Sequence, residues 1–119
     1  MIKLKRVYDP VARADGRRIL VERLWPRGLR KEDRRVGEWL RDVAPSAELR
    51  RWYGHDPARW AGFKRRYRAE LRTPERRRLL ETLADAARRG NVTLVYAARD
   101  TERNSAVVVR EALEEVLPP

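Results

Sequence analysis

Cysteine is absent from this 119-residue sequence, and histidine occurs only once, as His55. Without cysteine the chain has no disulfide framework, no thiolate nucleophile and no thiolate metal ligand. A single histidine and scattered acidic residues do not have the spacing of a zinc or calcium site. The sequence therefore predicts no metal centre.

Long apolar runs and glycine-rich segments are also absent. No stretch approaches the roughly 20 apolar residues needed to cross a bilayer. The first residues lack the pattern of a signal peptide, so we expect a cytoplasmic protein without a membrane partner. Gly16, Gly28 and Gly37 are isolated, so none of them forms a glycine-rich phosphate loop. We accordingly expect no cofactor.

Positive charge is abundant: 29 Lys and Arg residues against 18 Asp and Glu residues give a formal net charge of +11. Of the basic residues, 25 are arginine and 4 are lysine. Clustered cations bind nucleic acids by counterion release. The arginines are nevertheless spread along the chain, and acids such as Glu81 and Asp85 stand three or four residues from arginines on predicted helices. A polyanion-binding face, a self-paired surface and a biased genome composition all stay open.

The hydrophobic pattern predicts a single α/β domain over residues 1–119, with a small, largely parallel sheet of three or four strands flanked by helices. Chain length suits one domain. Strands are expected at 2–8, 18–24 and 92–97. Helices are expected around 36–43, 46–53, 57–71, 74–89 and 104–117. In parallel sheets of this class, ligand sites lie beyond the carboxyl ends of the strands.

Five stretches are recognisable as a set: "KRVYD" (5–9), "ILVERLWPRG" (19–28), "PSAELRRWYGH" (45–55), "WAGFKRRYRAEL" (60–71) and "VTLVYAARD" (92–100). Together they resemble the YeaO-like branch of the bacterial domain of unknown function 488 family, over nearly the whole chain. The resemblance implies a compact, Rossmann-like α/β domain in cytosolic bacterial proteins, without an established reaction.

One departure from the wider family concerns chemistry. In other branches, the last strand leads into a segment with cysteine and glutamate, and a Cys-His-Arg cluster follows at the next helix. The matching positions here are 96–98, Tyr-Ala-Ala, and 104–106, Asn-Ser-Ala. None of these residues is a thiolate nucleophile or a soft metal ligand. If the cysteine-bearing branches are catalytic, we expect this chain to have lost that chemistry.

Arg23 and Arg27 are the first candidate ligand-binding residues, because guanidinium groups make bidentate contacts to phosphate and carboxylate. Both follow the buried run Ile-Leu-Val of the second predicted strand. The alternative is that Arg23 pairs internally with Asp9 or Glu22 while Trp25 packs the bend.

Further candidates lie at the other strand ends. Tyr8 and Asp9 end the first strand, and Arg99 follows the third. Asn104 is expected to cap the last helix, whose N-terminus attracts anions. His55 is a weak candidate for a general base, as is Asp9. All four tryptophans are expected to pack in the core. The sequence favours this more strongly for Trp39 and Trp60 than for Trp25 and Trp52.

Three functions follow from these residues. The first is binding of an anion, whether a nucleotide, a nucleic acid or another phosphorylated ligand, at the strand-end arginines. The second is a hydrolase or transferase acting on a nucleotide-like substrate, with Asp9 or His55 as the base. The third is a non-catalytic accessory domain that forms a homodimer or another protein contact through an aromatic patch of Trp25, Trp52 and Tyr53.

Overall fold

A computed structural model describes residues 1–117 and contains one sheet of four parallel strands with four α-helices. The strands are β1 (Ile2–Arg6), β2 (Arg17–Leu20), β3 (Glu38–Trp39) and β4 (Val92–Tyr96), in the spatial order β1-β4-β2-β3. The helices are α1 (Ala47–Tyr53), α2 (Trp60–Leu71), α3 (Pro74–Arg89) and α4 (Ser105–Val116). The predicted α/β class and parallel sheet are confirmed.

Most helix boundaries lie where the sequence marks them, but α2 begins at Trp60 rather than at the predicted residue 57, because Pro57–Arg59 form a separate 3-10 turn. The Ser46 hydroxyl accepts a hydrogen bond from the Leu49 N–H and caps α1, and Gly54 ends that helix in the left-handed conformation. Pro74 opens α3 at a position where no backbone donor is needed. Asn104 accepts from the Val107 N–H and caps α4, as expected.

The two faces of the sheet are covered differently. Residues such as Ile19, Leu94 and Tyr96 pack in one cluster with buried side chains of all four helices. Leu20 and Val95 point the other way, as alternation along a strand requires, and pack with residues of the 21–37 segment. That segment is irregular rather than helical. Because doubly wound sheets carry helices on both faces, the Rossmann-like part of the expectation stays a prediction.

The predicted helix around residues 36–43 is wrong. Glu38 and Trp39 form the short edge strand β3, and a single 3-10 turn covers Arg41–Val43. Val36 and Val43 are buried in different clusters, on opposite faces of the sheet, so they do not form one helical stripe. Trp39 is also not a core residue, since it is 38% exposed.

A buried ion-pair cluster joins β1 and β2 on the face opposite the helices. Asp15, which is 1% exposed, accepts hydrogen bonds from Arg18 at 2.7 Å and from Lys5 at 3.0 Å. Arg18 also donates to four backbone carbonyls, those of Val7, Asp9, Pro10 and Arg35. The charge is thus fully partnered, as a buried guanidinium must be.

Candidate anion-binding site

A cavity of about 820 Å³ lies at the carboxyl edge of the sheet. This volume falls within the usual range of small-molecule sites. Residues from the ends of β1, β2 and β4 line it, together with α1, the turn after α1 and the start of α4: Arg6, Tyr8, Glu22, Arg23, Leu24, Trp25, Pro26, Arg27, Pro45, Arg50, His55, Ala97, Ala98, Arg99 and Ser105. The cavity thus occupies the place that the fold class favours for a ligand.

The structure brings most of the predicted site residues together. Tyr8, Arg23, Trp25, Arg27, Arg99 and His55 all line this one cavity. They come from sequence positions up to 91 residues apart, and the parallel sheet joins them because all its strands end at the same edge. Their role as ligand contacts stays a prediction.

Two predicted residues lie apart from the cavity lining. The Asp9 carboxylate is exposed and accepts the Arg6 N–H at 3.2 Å, which closes a turn after β1. Asn104 is buried, and its side chain is engaged at both ends: it accepts from Val107 and donates to the Asp100 carbonyl at 2.9 Å. Asn104 therefore holds the start of α4 rather than facing the cavity.

Among residues 1–117, five arginines and one carboxylate, Glu22, line the cavity. Arg6 is held in place, with Nη2 donating to the Ala97 carbonyl at 2.8 Å and Nε to the Ala98 carbonyl at 3.1 Å. Arg23 pairs with Asp42 at 3.2 Å, so neither Asp9 nor Glu22 is its partner. That pair is open to water on both sides and therefore weak.

The other three arginines of the cavity have no carboxylate partner within residues 1–117: Arg27, Arg50 and Arg99. The Nε atom of Arg50 is buried and has no hydrogen-bond partner in the described part of the chain. A buried donor without a partner is costly. The cavity therefore carries positive charge that no carboxylate of residues 1–117 pairs with, as an anion site requires.

Aromatic side chains fix the loop that carries Arg23 and Arg27. Trp25 donates through Nε1 to the Leu29 carbonyl at 2.9 Å, and Trp39 donates to the Glu22 carbonyl at 2.7 Å. The two indoles meet edge to face, with ring centroids 5.4 Å apart. Tyr8 adds a hydrogen bond from its hydroxyl to the Arg27 carbonyl at 2.9 Å. The opening of the cavity is therefore braced rather than loose.

Glu22, like Arg6 and Arg50, lines the cavity but was not predicted from the sequence as a site residue. It follows the buried Val21, and the β2–β4 register, extended by two residues, sets it level with Ala97. Its Oε1 accepts the Ala97 N–H at 2.7 Å. Burial raises the pKa of Glu22, and this hydrogen bond and the nearby charges of His55 and Arg6 only partly oppose the increase. A carboxylate directly after an apolar strand was the available signal.

The aromatic patch expected of an accessory domain does not form from all three of its residues. Tyr53 is only 7% exposed and stacks on Phe63 with ring centroids 4.3 Å apart. Trp52 lies half-buried on Gly62, with the Arg66 guanidinium 4.1 Å from its ring centroid. Trp25 is held within the cavity lining.

Neither a metal site nor a transmembrane helix is found among residues 1–117. No group of three or more His, Cys, Asp or Glu side chains is placed to hold a metal ion there. No helix in that range combines the length and apolarity of a transmembrane segment.

Comparison with known proteins identifies the family. Residues 1–118 match the family model described as the inactive DUF488-N3 subclade. The chain is 44% identical over 112 residues to the uncharacterized protein Rv3073c of Mycobacterium tuberculosis, covering 94% of this chain and 92% of that one. It is 43% identical over 112 residues to the uncharacterized protein YeaO of Escherichia coli, covering 94% and 96%. No solved structure matches. The resemblance to YeaO-like proteins is confirmed, and the chain belongs to the inactive DUF488-N3 subclade.

Proposed function

We propose that this protein binds a small anionic ligand, of the phosphorylated or nucleotide type, in the cavity at the carboxyl edge of the sheet. The observation that carries the proposal is the set of three arginines there, Arg27, Arg50 and Arg99, whose guanidinium groups bind neither a carboxylate nor, unlike that of Arg6, a backbone carbonyl within residues 1–117. Arginine is suited to phosphate because its planar donors match two oxygens at once. The braced Trp25 and Tyr8 rings offer apolar surface beside the charges.

Binding is favoured over catalysis by what the same cavity lacks. Ala97, Ala98 and Ser105 line it, at positions that the family resemblance matches to the cysteine-containing segments of other branches. Two alanines cannot supply a nucleophile or transfer a proton, and the Ser105 hydroxyl makes no hydrogen bond to a base within residues 1–117. The description of the subclade as inactive agrees with this difference. His55 and Glu22 could still exchange a proton, but Asp9, the other base considered, lies outside the lining.

The test is a pair of charge-matched double variants. Arg27→Gln with Arg99→Gln removes two cavity charges, whereas Arg78→Gln with Arg89→Gln removes two exposed charges from α3, outside the cavity. Both variants lower the net charge by two. Isothermal titration calorimetry with inorganic phosphate, AMP and ADP should show affinity weakened about 10- to 100-fold by the cavity variant, because charge-assisted hydrogen bonds are strong. The α3 variant should stay within about threefold of the unchanged protein.

The same two double variants distinguish ligand binding in the cavity from nucleic-acid binding by surface charge alone. DNA affinity measured across salt concentrations would fall steeply if the net charge alone were responsible. Equal losses in both double variants would mean that the cavity has no special part in anion binding. Absence of binding to every anion tested would contradict the proposal itself.

The accessory-domain hypothesis predicts a dimer. Light scattering that shows a stable dimer, which the Arg27→Gln and Arg99→Gln double variant retains, would favour it over ligand binding.

A further inference from the structure

The single carboxylate in an arginine-lined cavity is the feature that the proposed function does not explain. An anion site gains nothing from a negative charge on its wall, because like charges repel at short range. Glu22 nevertheless lines the cavity beside Arg6, Arg23 and Arg27. Glu22 therefore has either a structural role or a role in ligand selectivity.

The structural role accounts for only part of the Glu22 side chain. Oε1 accepts the Ala97 N–H while Arg6 binds the Ala97 carbonyl, so the residues after β4 are held from both sides. A carboxylate can accept about four hydrogen bonds. Within residues 1–117, Glu22 accepts this bond and a weaker contact from the Ala98 N–H. The half-buried carboxylate therefore retains accepting capacity on the cavity wall.

We propose that Glu22 makes the cavity selective for anions that carry a hydrogen-bond donor next to their charge. The arginines bind the charged oxygens, and Glu22 accepts the ligand's own donor, which is a P–OH group in hydrogen phosphate or a hydroxyl group adjoining a phosphate ester. An anion without such a donor places an oxygen lone pair against the carboxylate and is rejected. This inference rests on the proposed function and names the ligand class of the same site.

Four tetrahedral dianions separate the two sources of the donor at about pH 8, above the second pKa of a phosphate group. Hydrogen phosphate carries a P–OH donor, and glycerol phosphate carries hydroxyl groups beside the phosphate. Sulfate and methyl phosphate carry no donor. Titration calorimetry of the unchanged protein should give affinities for one or both donor-bearing anions at least about tenfold above those for sulfate and methyl phosphate, because a hydrogen bond to a charged acceptor is worth about that factor.

The Glu22→Gln variant tests the residue itself. Its amide oxygen can still accept the Ala97 N–H, and its new N–H₂ group can donate to any anion. We expect the preference over sulfate to fall to about threefold or less in this variant. Glu48→Gln, which removes an exposed charge at the start of α1, should leave the preference unchanged.

The outcomes are distinct. If Glu22 is purely structural, Glu22→Gln will change stability or overall affinity but not the ratio of phosphate to sulfate affinity. That result would overturn the inference. Equal affinities for all four dianions in the unchanged protein overturn it without the variant, even if Glu22→Gln fails to fold. In both cases the anion-binding function stands. Failure of every dianion to bind contradicts the proposed function as well.

Discussion

Replacing Asp15 by asparagine tests whether the buried ion-pair cluster holds the fold together. The carboxylate is 1% exposed and neutralises Arg18, which is itself 3% exposed. Asparagine keeps the size of the side chain but leaves the Arg18 charge without a counter-charge and weakens the contact with Lys5. Breaking one side of a buried ion pair costs about 3–5 kcal/mol. We expect the lower end, about 3 kcal/mol, because Arg18 keeps its four carbonyl acceptors.

The measurement is urea unfolding followed by tryptophan fluorescence, together with a thermal melt. For a domain of this size, about 3 kcal/mol corresponds to a fall in Tm of about 12 °C. Asp85→Asn is the matched control, since its ion pair with Arg88 at 2.7 Å is exposed on both sides and should contribute less than about 1 kcal/mol. A loss below about 1 kcal/mol in Asp15→Asn would refute the assignment of Asp15 as an essential counter-charge.

The same carboxylate predicts a dependence on pH. Burial by itself raises the pKa of Asp15, but the hydrogen bonds from the Ala12 N–H and Arg18 outweigh it and lower the pKa from 3.8 to about 2. A lowered pKa in the folded state means stability that is present above about pH 4 and lost as the pH falls towards 2. This loss amounts to at most about 2 kcal/mol. Asp15→Asn should not show it, so its stability should change less over this interval than that of the unchanged protein.

Two further changes test local features. Ser46→Ala should lower the free energy of unfolding by about 1–2 kcal/mol, because the hydroxyl caps α1 and also donates to Glu70. Urea unfolding measures this loss, and an unchanged free energy of unfolding would mean that the cap is dispensable. Gly16→Ala should cost more than about 3 kcal/mol or prevent folding, since Gly16 has φ +61° and an added Cβ would overlap the Asn91 backbone. Gly28→Ala is its control, because Gly28 also has positive φ, at +83°, but no atom within 4 Å of an added Cβ. Similar losses in both variants would show that strain in φ, rather than the close approach, is responsible.

The elements that the sequence predicted well are those whose signals are local. Ser46 and Gly54 mark the two ends of α1, and Asn104 marks the start of α4, because each satisfies or terminates the backbone hydrogen bonds next to it. The segment 36–43 failed for the opposite reason. Val36, Trp39 and Val43 have helical spacing, but Trp39 pairs with Leu20 of β2 in a two-residue edge strand. That pairing depends on a distant strand, which no local period reveals.

The candidate site shows the same division. Strand-end residues such as Arg23 and Arg99 could be predicted because parallel strands all finish at one edge of the sheet. Arg50 could not, since it stands on a helix among many other arginines, and only the packing of α1 against α2 brings it to the cavity. Glu22 was considered only as a partner for Arg23, whereas the structure pairs Arg23 with Asp42.

The sequence by itself determined the class of fold, the family, the positive charge and the capped ends of α1 and α4, because composition and capping depend on residues close together in the chain. Only the tertiary structure decided which of the 25 arginines share a cavity and which of those lack a carboxylate partner. It also decided that the segment "VERLWPRG" (21–28) gives one cavity wall both a hydrogen-bond acceptor, Glu22, and donors, Arg23 and Arg27. The β2–β4 register places Glu22 beside Ala97 at this wall. Whether a charged side chain has a partner depends on which residues lie next to it in space. Here those residues come from strands more than 70 residues apart in the sequence.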